Sequence, residues 1–495
     1  MQLPARIAGI QSRLTLNSVP SAAISNSCSI NVPPAAKTSH QLPSFAPAAG
    51  MRWRKKLNPN PVPIAAMKIF LIPPTATNAV KGFEEAIINF LIEHQCPQCG
   101  SPALLEETDR LFTCKYCRVN SYLMPDYFFR YLLPHPPDEN KNIVYFPYWR
   151  FKGMLFFCGP SGIQNRFVDI SHQAIEAPIF PISVGVRSQA MKLRFATADT
   201  DGSFLKPRQS FDKILSTFQE RFGKSLPKPI LHQSNIGEAL SLIYSPFYLT
   251  DKLNDAILDK PVSAKLPEDF NIDDFSADRL HRHIRFVATL CPNCGWNLEG
   301  ERDALVLGCK NCNSTWYPVG KKLKQLKFSQ FPSKGDSTTY LPFWRIKADV
   351  SGIDLDSYAD LIAVANLPRV VQSGWNNTPF RFWIPAFKVR PKLFLHLATH
   401  TTLSQPREKL IPELPEARTY PTTLPIEEAI ESLKITLADF MKPRRTLMER
   451  LRDIRIDAKS FTLVFMPFKE GHHEFSQPDF QLTINTNVLA LSKNL

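Results

Sequence analysis

Eight of the ten cysteines fall into four C-x-x-C pairs, and the pairs fall into two matched sets. Cys96 and Cys99 are followed after fourteen residues by Cys114 and Cys117; Cys291 and Cys294 are followed after fourteen residues by Cys309 and Cys312. Two thiolates three residues apart on a tight turn can face one ion, and a second such turn completes a tetrahedron. This is the spacing of a closed four-cysteine zinc site. It predicts two Zn2+ per chain, with Fe the less favoured ion because a four-thiolate tetrahedron also suits iron. A glycine follows the second Cys of each leading turn (Gly100, Gly295). A position there with positive φ favours glycine. The trailing turns carry Arg118 and Asn313 in that place.

Disulfides are the competing use of paired cysteines. Four close-set pairs in a chain without a signal peptide point instead to metal, a reducing compartment and a cytoplasmic location. A thioredoxin-like redox pair would be single and would open a helix. Cys158 ends the apolar run Met154–Cys158 and reads as a small buried hydrophobe. Gly223-Lys224-Ser225 has the ending of a phosphate-binding loop, but Phe218 stands where that loop needs its first glycine. The triplet also follows a helical pattern, so Gly223 reads as a helix C-cap. His281-x-His283 and His472-His473-Glu474 lack further ligands at metal spacing and read as surface residues. No H-E-x-x-H, G-x-S-x-G or Gly-rich dinucleotide turn is present. The chain is therefore not expected to be an enzyme.

The elements that hold the cysteines repeat. Shifted by 195 residues, Cys96–Lys152 aligns without a gap on Cys291–Lys347. The match includes Pro97/Pro292, Gly100/Gly295 and Tyr122/Tyr317. It ends in Tyr145-Phe-Pro-Tyr-Trp-Arg-Phe-Lys152 against Tyr340-Leu-Pro-Phe-Trp-Arg-Ile-Lys347. Two copies suggest a duplicated domain and not a solenoid. Further on, Phe211, Ile214, Leu215, Phe218 and Phe222 recur at helical spacing, as do Ile426, Ile430, Leu433, Leu437 and Phe440. Each stripe precedes an apolar run ending in Pro-Phe (Pro246-Phe247, Pro467-Phe468). Short aromatic and β-branched runs punctuated by Pro read as strands. Alternation places Tyr145, Pro147, Trp149 and Phe151 on one face, with Phe146, Tyr148, Arg150 and Lys152 on the other. Trp149 and Trp344 read as core residues, and Arg150 and Arg345 as arginines that snorkel or pair.

The expected class is thus α+β, mainly antiparallel β: an internal duplication of two halves. Each half has a rubredoxin-like zinc ribbon with four cysteine ligands and a β-rich domain with one or two helices. The chain opens on an N-terminal extension (1–66), which is disordered, has the composition of an organelle transit peptide, or precedes a later start. A strand and helix (67–95) then lead into ribbon one (96–125), with the helix over 79–94. The first β-rich domain follows (126–250), then an acidic linker (251–285), ribbon two (286–320) and the second β-rich domain (321–495). Residues 1–66 hold seven Lys/Arg and no Asp or Glu, which accounts for half of the net charge of +14. The remainder is only mildly basic. No apolar run is long enough to span a membrane. Lys321, Lys322, Lys324, Lys327 and Lys334, interleaved with Leu323, Leu326, Phe328 and Phe331, form the best basic patch for nucleic acid in the core. A solvated strand face explains them as well. The ribbons themselves oppose phosphate: each carries three acids against two bases, and four thiolates with one Zn2+ add a further −2.

The paired knuckles and the Tyr-Leu-Pro-Phe-Trp-Arg-Ile-Lys stretch resemble bacterial tandem zinc-ribbon proteins. Their ribbons are similar to those of transcription factors and replication-restart helicases. The resemblance covers roughly residues 90–350 and implies metal ligation by the eight cysteines. It implies no helicase activity, because no motor motif is present. Three functions follow as expectations: a non-catalytic zinc scaffold that binds a protein partner, a nucleic-acid-binding protein, and a rubredoxin-like iron electron carrier. The first is preferred, with each zinc expected to stabilise its own ribbon alone.

Overall fold

The structure, a computed structural model, describes residues 91–492 except 97, 126–127, 137–140, 197–199, 225, 227, 264, 269, 276–283, 320–321, 333–337 and 408. The N-terminal extension, the strand expected from Met67, the His281/His283 pair, Lys321 and Lys334 lie outside the described residues. The chain is mixed α+β with mainly antiparallel strands. No helix among the described residues is long and apolar enough to cross a membrane.

Ribbon one contains β1 (Leu91–Gln95), β2 (Pro102–Glu106), β3 (Leu111–Thr113) and β4 (Asn120–Pro125). After β5 (Phe129–Leu132) comes a long hairpin of β6 (Ile143–Gly159) and β7 (Gly162–Gln173). β8 (Leu193–Phe195), β9 (Ser203–Phe204), α1 (Phe211–Lys224) and β10 (His232–Leu249) follow. β11 (Leu253–Asp255) and β12 (Lys260–Pro261) close the first half. β6 lies between β10 and β7, antiparallel to both. It is buried without a break from Val144 to Cys158, because both of its faces carry large apolar residues. Trp149, Phe151, Leu155 and Phe157 pack with the stripe of α1, while Phe146 and Tyr148 join the opposite core.

The second half runs through β13 (Ile284–Ala288), β14 (Leu307–Cys309), β15 (Ser314–Val319) and β16 (Lys322–Leu326). Next come β17 (Phe328–Gln330), β18 (Thr338–Ser351), α2 (Tyr358–Val364), β19 (Phe382–Pro385) and α3 (Pro391–Ser404). Then follow α4 (Ile426–Glu431), α5 (Leu433–Phe440), α6 (Arg444–Arg450) and β20 (Arg455–Glu470). β21 (Glu474–Gln477), β22 (Leu482–Asn485) and α7 (Thr486–Leu491) are the last elements. The sheet of this half runs β19-β18-β20-β21-β22, with β17 parallel on β20.

One backbone circuit recurs in both halves. The Pro147 carbonyl accepts from Ala174 N (2.9 Å), and the Ala174 carbonyl accepts from Arg208 N and Gln209 N. The Gln209 carbonyl then accepts from Trp149 Nε1 at 2.9 Å. In the second half, the Pro342 carbonyl accepts from Ala386 N (3.0 Å), and the Ala386 carbonyl accepts from Thr423 N and Leu424 N. The Leu424 carbonyl accepts from Trp344 Nε1 at 2.9 Å. Strand register agrees too. Trp149 faces Leu242 and Trp344 faces Leu463, and an irregularity follows directly after Lys152↔Ala239 and after Lys347↔Ser460.

Four expectations need correction. The helix over 79–94 lies outside the described residues up to 90, and its last part is strand β1. There, pairing with β2 and β8 overrides the helical spacing. The acidic linker 251–285 contributes β11 and β12 to the sheet. Its Leu266, Phe270, Ile272 and Phe275 lie against the first core, because apolar residues are spaced between the acids. The second half has six helices among the described residues instead of one or two. The apolar stripe at 426–440 is broken at Ser432, whose hydroxyl turns back to the Ala429 carbonyl (2.7 Å). Finally, Gly223 is the penultimate residue of α1 and lacks the left-handed φ of a C-cap glycine.

Candidate metal centres

The four C-x-x-C turns fold as two pairs of knuckles. In ribbon one the Gly100 amide bonds back to the Cys96 carbonyl (2.9 Å), and the Arg118 amide to the Cys114 carbonyl (3.0 Å). In ribbon two the Gly295 amide bonds to the Cys291 carbonyl (2.8 Å). The residue after each pair has positive φ: 71° at Gly100, 58° at Arg118, 74° at Gly295 and 48° at Asn313. All four turns therefore share one conformation, and it is backbone geometry that selects glycine. A Cβ at Gly100 or Gly295 would meet nothing within 4 Å.

The sulfurs converge. Cys96 Sγ lies 3.7 Å from Cys117 Sγ, and Cys99 Sγ lies 3.6 Å from Cys114 Sγ. The matching distances in ribbon two are 3.6 Å for Cys291–Cys312 and 3.5 Å for Cys294–Cys309. Within each set all four Sγ atoms lie within 4.8 Å of one another. Sulfurs bound tetrahedrally to zinc at about 2.3 Å stand about 3.8 Å apart, whereas a disulfide needs about 2.0 Å. The geometry fits a four-thiolate ion and excludes bridges. The surroundings push the thiols apart in acidity. The Ser101 hydroxyl, 3.2 Å from Cys114 Sγ, helps to bring Cys114 down to about 6. Against a Val119 amide that favours the thiolate, burial and the three neighbouring thiols push Cys117 up to about 12. In ribbon two, burial and the neighbouring thiols likewise push Cys309 up to about 12. Four thiolates so close together repel, so full ionisation of the set calls for a cation at its centre.

Comparison of the chain with protein-family models, curated proteins and solved structures finds no match.

The ribbons are packed on each other. β13, which leads into ribbon two, pairs antiparallel with β4 of ribbon one. Leu111, Tyr122 and Met124 share one core with Leu298, Leu307, Trp316 and the candidate ligands Cys291 and Cys309. The turn 106–110 of ribbon one then reaches in two directions. Asp109 accepts from Arg302 of ribbon two and from the Glu106 amide. Glu107 Oε1 accepts from Arg150 NH1 at 2.8 Å.

That arginine is the most buried charge of the first half among the described residues, with no exposed surface. Its Nε and NH2 fork onto the two carboxylate oxygens of Asp169 at 2.8 and 2.7 Å. Burial opposes its charge, but Asp169 and Glu107 hold the guanidinium ionised. Arg150 thus pairs, as expected of it. Sequence reasoning did not identify its partners, since an isolated acid in the strand Phe167-Val168-Asp169-Ile170 and one of two adjacent glutamates carry no pattern. Arg345 differs. Its Nε is enclosed without a hydrogen-bond partner, and the ring it stands over is that of Trp383, at 5.7 Å.

Among the lysines of the basic patch, Lys322 and Lys324 are exposed on β16, at the edge of the ribbon-two sheet. Lys327 is exposed just before β17, in the other sheet. The structure does not gather these three on one strand. His472 and His473 are exposed neighbours that join no metal-ligand group among the described residues.

Proposed function

We propose that the chain is a non-catalytic zinc scaffold whose two closed four-cysteine sites, Cys96/Cys99/Cys114/Cys117 and Cys291/Cys294/Cys309/Cys312, each hold one structural Zn2+. The observation that carries this reading is the use of all four sulfurs in each set, which leaves no open position for water or substrate. When bound, the ion neutralises crowded thiolates and cross-links two turns. The residues around it do the rest: they carry the shared ribbon core, and the turn 106–110 ties ribbon one to Arg150 and Arg302. The same reading takes the two halves as copies of one ribbon-plus-sheet unit, supported by the repeated Trp149 and Trp344 circuits. It also places the chain in a reducing, cytoplasmic setting and gives it a protein partner. Metal analysis with a visible spectrum tests it. Two zinc per chain and no colour are expected; two iron with a red thiolate absorption would replace the scaffold by an electron carrier.

One observation favours a nucleic-acid reading in second place. A cleft of about 1390 Å3 beside ribbon one is lined, among the described residues, by Lys115, Tyr116, Arg194 and Arg302 with no acid. Tyr116 is 73% exposed there. Single-stranded DNA that binds with steep salt dependence, and releases in Lys115→Met/Arg194→Met, would promote this reading.

A further inference from the structure

Arg150 and Arg345 stand at equivalent places in the two halves, next to Trp149 and Trp344. Arg150 has two carboxylates. Arg345 has none: among the described residues no ion pair or hydrogen bond reaches its guanidinium, although Nε is shut off from water. The difference has a structural origin. In the first half, β7 runs beside β6 to Gly159 and sets Asp169 opposite Lys152, diagonal to Arg150. In the second half, β19 pairs with β18 only from Phe343 to Ile346. Beyond Lys347, no strand pairs with that edge of β18 among the described residues to supply the missing acid. The turn of ribbon one that brings Glu107 to Arg150 has its counterpart at Arg302, which is paired to Asp109 instead.

The face around Arg345 is cationic and opens to solvent toward Lys347. Trp383 and Thr462 flank it in register on β19 and β20. Lys347, two residues along β18, is exposed. Arg381, the residue before β19, is half-buried and close enough to Arg345 for the two cations to oppose each other's charge. Arg381 NH1 reaches the carbonyl of Phe380 (2.7 Å) and no carboxylate among the described residues. The nearest acids on this face, Asp349 and its cross-strand neighbour Asp457, share Lys459 at 3.3 and 2.6 Å. Two arginines and a lysine, against two acids already engaged by a further lysine, leave the site with a net positive charge. A half-buried guanidinium gains most from a charged hydrogen-bond partner.

We propose that this face binds an acidic, extended segment of a partner protein, one carboxylate of which takes on Arg345 the place that Asp169 takes on Arg150. The inference rests on the scaffold reading for the kind of partner. Carboxylate is favoured over phosphate because the equivalent arginine, in the same strand and next to the same Trp, is satisfied by carboxylates alone. Lys347 and Arg381 are placed to meet neighbouring acids of the segment.

The test uses the zinc-loaded full chain with a fluorescein-labelled dodecamer of glutamate and, in parallel, a labelled dodecamer of thymidylate, both read by anisotropy. Binding of the glutamate peptide should weaken about tenfold or more in Arg345→Met and in Arg345→Gln. It should stay within about twofold in Lys322→Met/Lys324→Met, which removes two positive charges elsewhere. Equal losses in the two sets of variants would show general attraction to a basic protein and overturn the site. So would failure of the wild-type chain to bind the peptide at low salt. Arg345-dependent binding of the oligonucleotide without the peptide would overturn the carboxylate assignment in favour of phosphate. Zinc content is measured on every sample. Two ions per chain with no peptide binding would sink the docking face alone, and fewer than two would sink the scaffold reading whatever the peptide does.

Discussion

Replacing Arg150 by Met keeps most of the side-chain volume and removes the cation that satisfies Asp169 and Glu107. Both acids are largely enclosed, with side chains 12% and 10% exposed. Three charge-assisted bonds of 2.7–2.8 Å disappear together. Breaking a buried ionic network from one side costs about 3–5 kcal/mol, because Asp169 stays buried without its cation and Glu107, among the described residues, keeps only Lys152, at 3.9 Å. At about 2–4 °C per kcal/mol for a unit of 150–250 residues, melting should fall by roughly 6–20 °C. Arg345→Met is the internal control. It removes a half-buried guanidinium that no carboxylate neutralises, so stability should change by less than about 1 kcal/mol or rise. Lys152 is itself buried, so the quadruple variant Arg150→Met/Asp169→Leu/Glu107→Leu/Lys152→Met, which removes all four of these charges, should recover much of the loss. Calorimetry of zinc-loaded protein, with metal content fixed, reads all three. The reasoning fails if Arg150→Met melts within about 1 kcal/mol of wild type, or if Arg345→Met falls as far.

Other consequences are open to direct measurement. Metal analysis should return two zinc per chain, and Cys96→Ser or Cys291→Ser should each lose one ion and weaken the other. A variant that releases its remaining zinc to a chelator at the wild-type rate would contradict the shared ribbon core. Gly100→Ala should cost about 1–2 kcal/mol through its positive φ alone, whereas Arg118→Gly should be neutral or stabilising; the order of chelator-induced unfolding checks this, and the reverse order would refute a common knuckle conformation. Trp149→Phe and Trp344→Phe each lose one indole N–H···O bond and some volume, so each should destabilise by about 1–3 kcal/mol. A large effect at one and none at the other would argue against equivalent circuits.

The cysteine spacing made the metal sites legible because four ligands on two turns leave little geometric freedom. The burial of Trp149 and Trp344 was legible as well, since strand alternation separates them from the arginines beside them. The partners of those arginines were not. Asp169 and Glu107 come from different elements, and only sheet register and ribbon docking bring them to Arg150. The helices of the second half escaped for a related reason. α3 is buried on much of its circumference, with Phe394, Leu395, Leu397, Ala398, Thr399 and Thr401 all enclosed, so no amphipathic stripe marks it. Its threonines also favour strand on propensity. Tertiary packing decided these elements, just as pairing with β2 and β8 decided the end of the expected helix over 79–94.

The packing argues against each ion stabilising only its own ribbon. A zinc ribbon has too few apolar residues to hold its turns alone, so the ion supplies the constraint. Here the constrained turns are themselves building blocks of larger contacts. Cys291 and Cys309 belong to the same apolar cluster as Leu111 and Tyr122 of the other ribbon. Between the knuckles of ribbon one, the turn 106–110 carries Glu107 to the core of the first half and Asp109 to ribbon two. Loosening Cys96–Cys117 would therefore uncouple the buried guanidinium of Arg150, which lies on a separate element, and expose an apolar seam between the ribbons. Once an ion is bound, its loss would be expected to loosen the candidate metal site, the seam and the buried ion pair of the first half together. The second half keeps the metal site and the tryptophan circuit but leaves its arginine without an internal acid. The two halves thus share the tryptophan circuit and differ at the arginine beside it, which is neutralised within the first half and not, among the described residues, within the second.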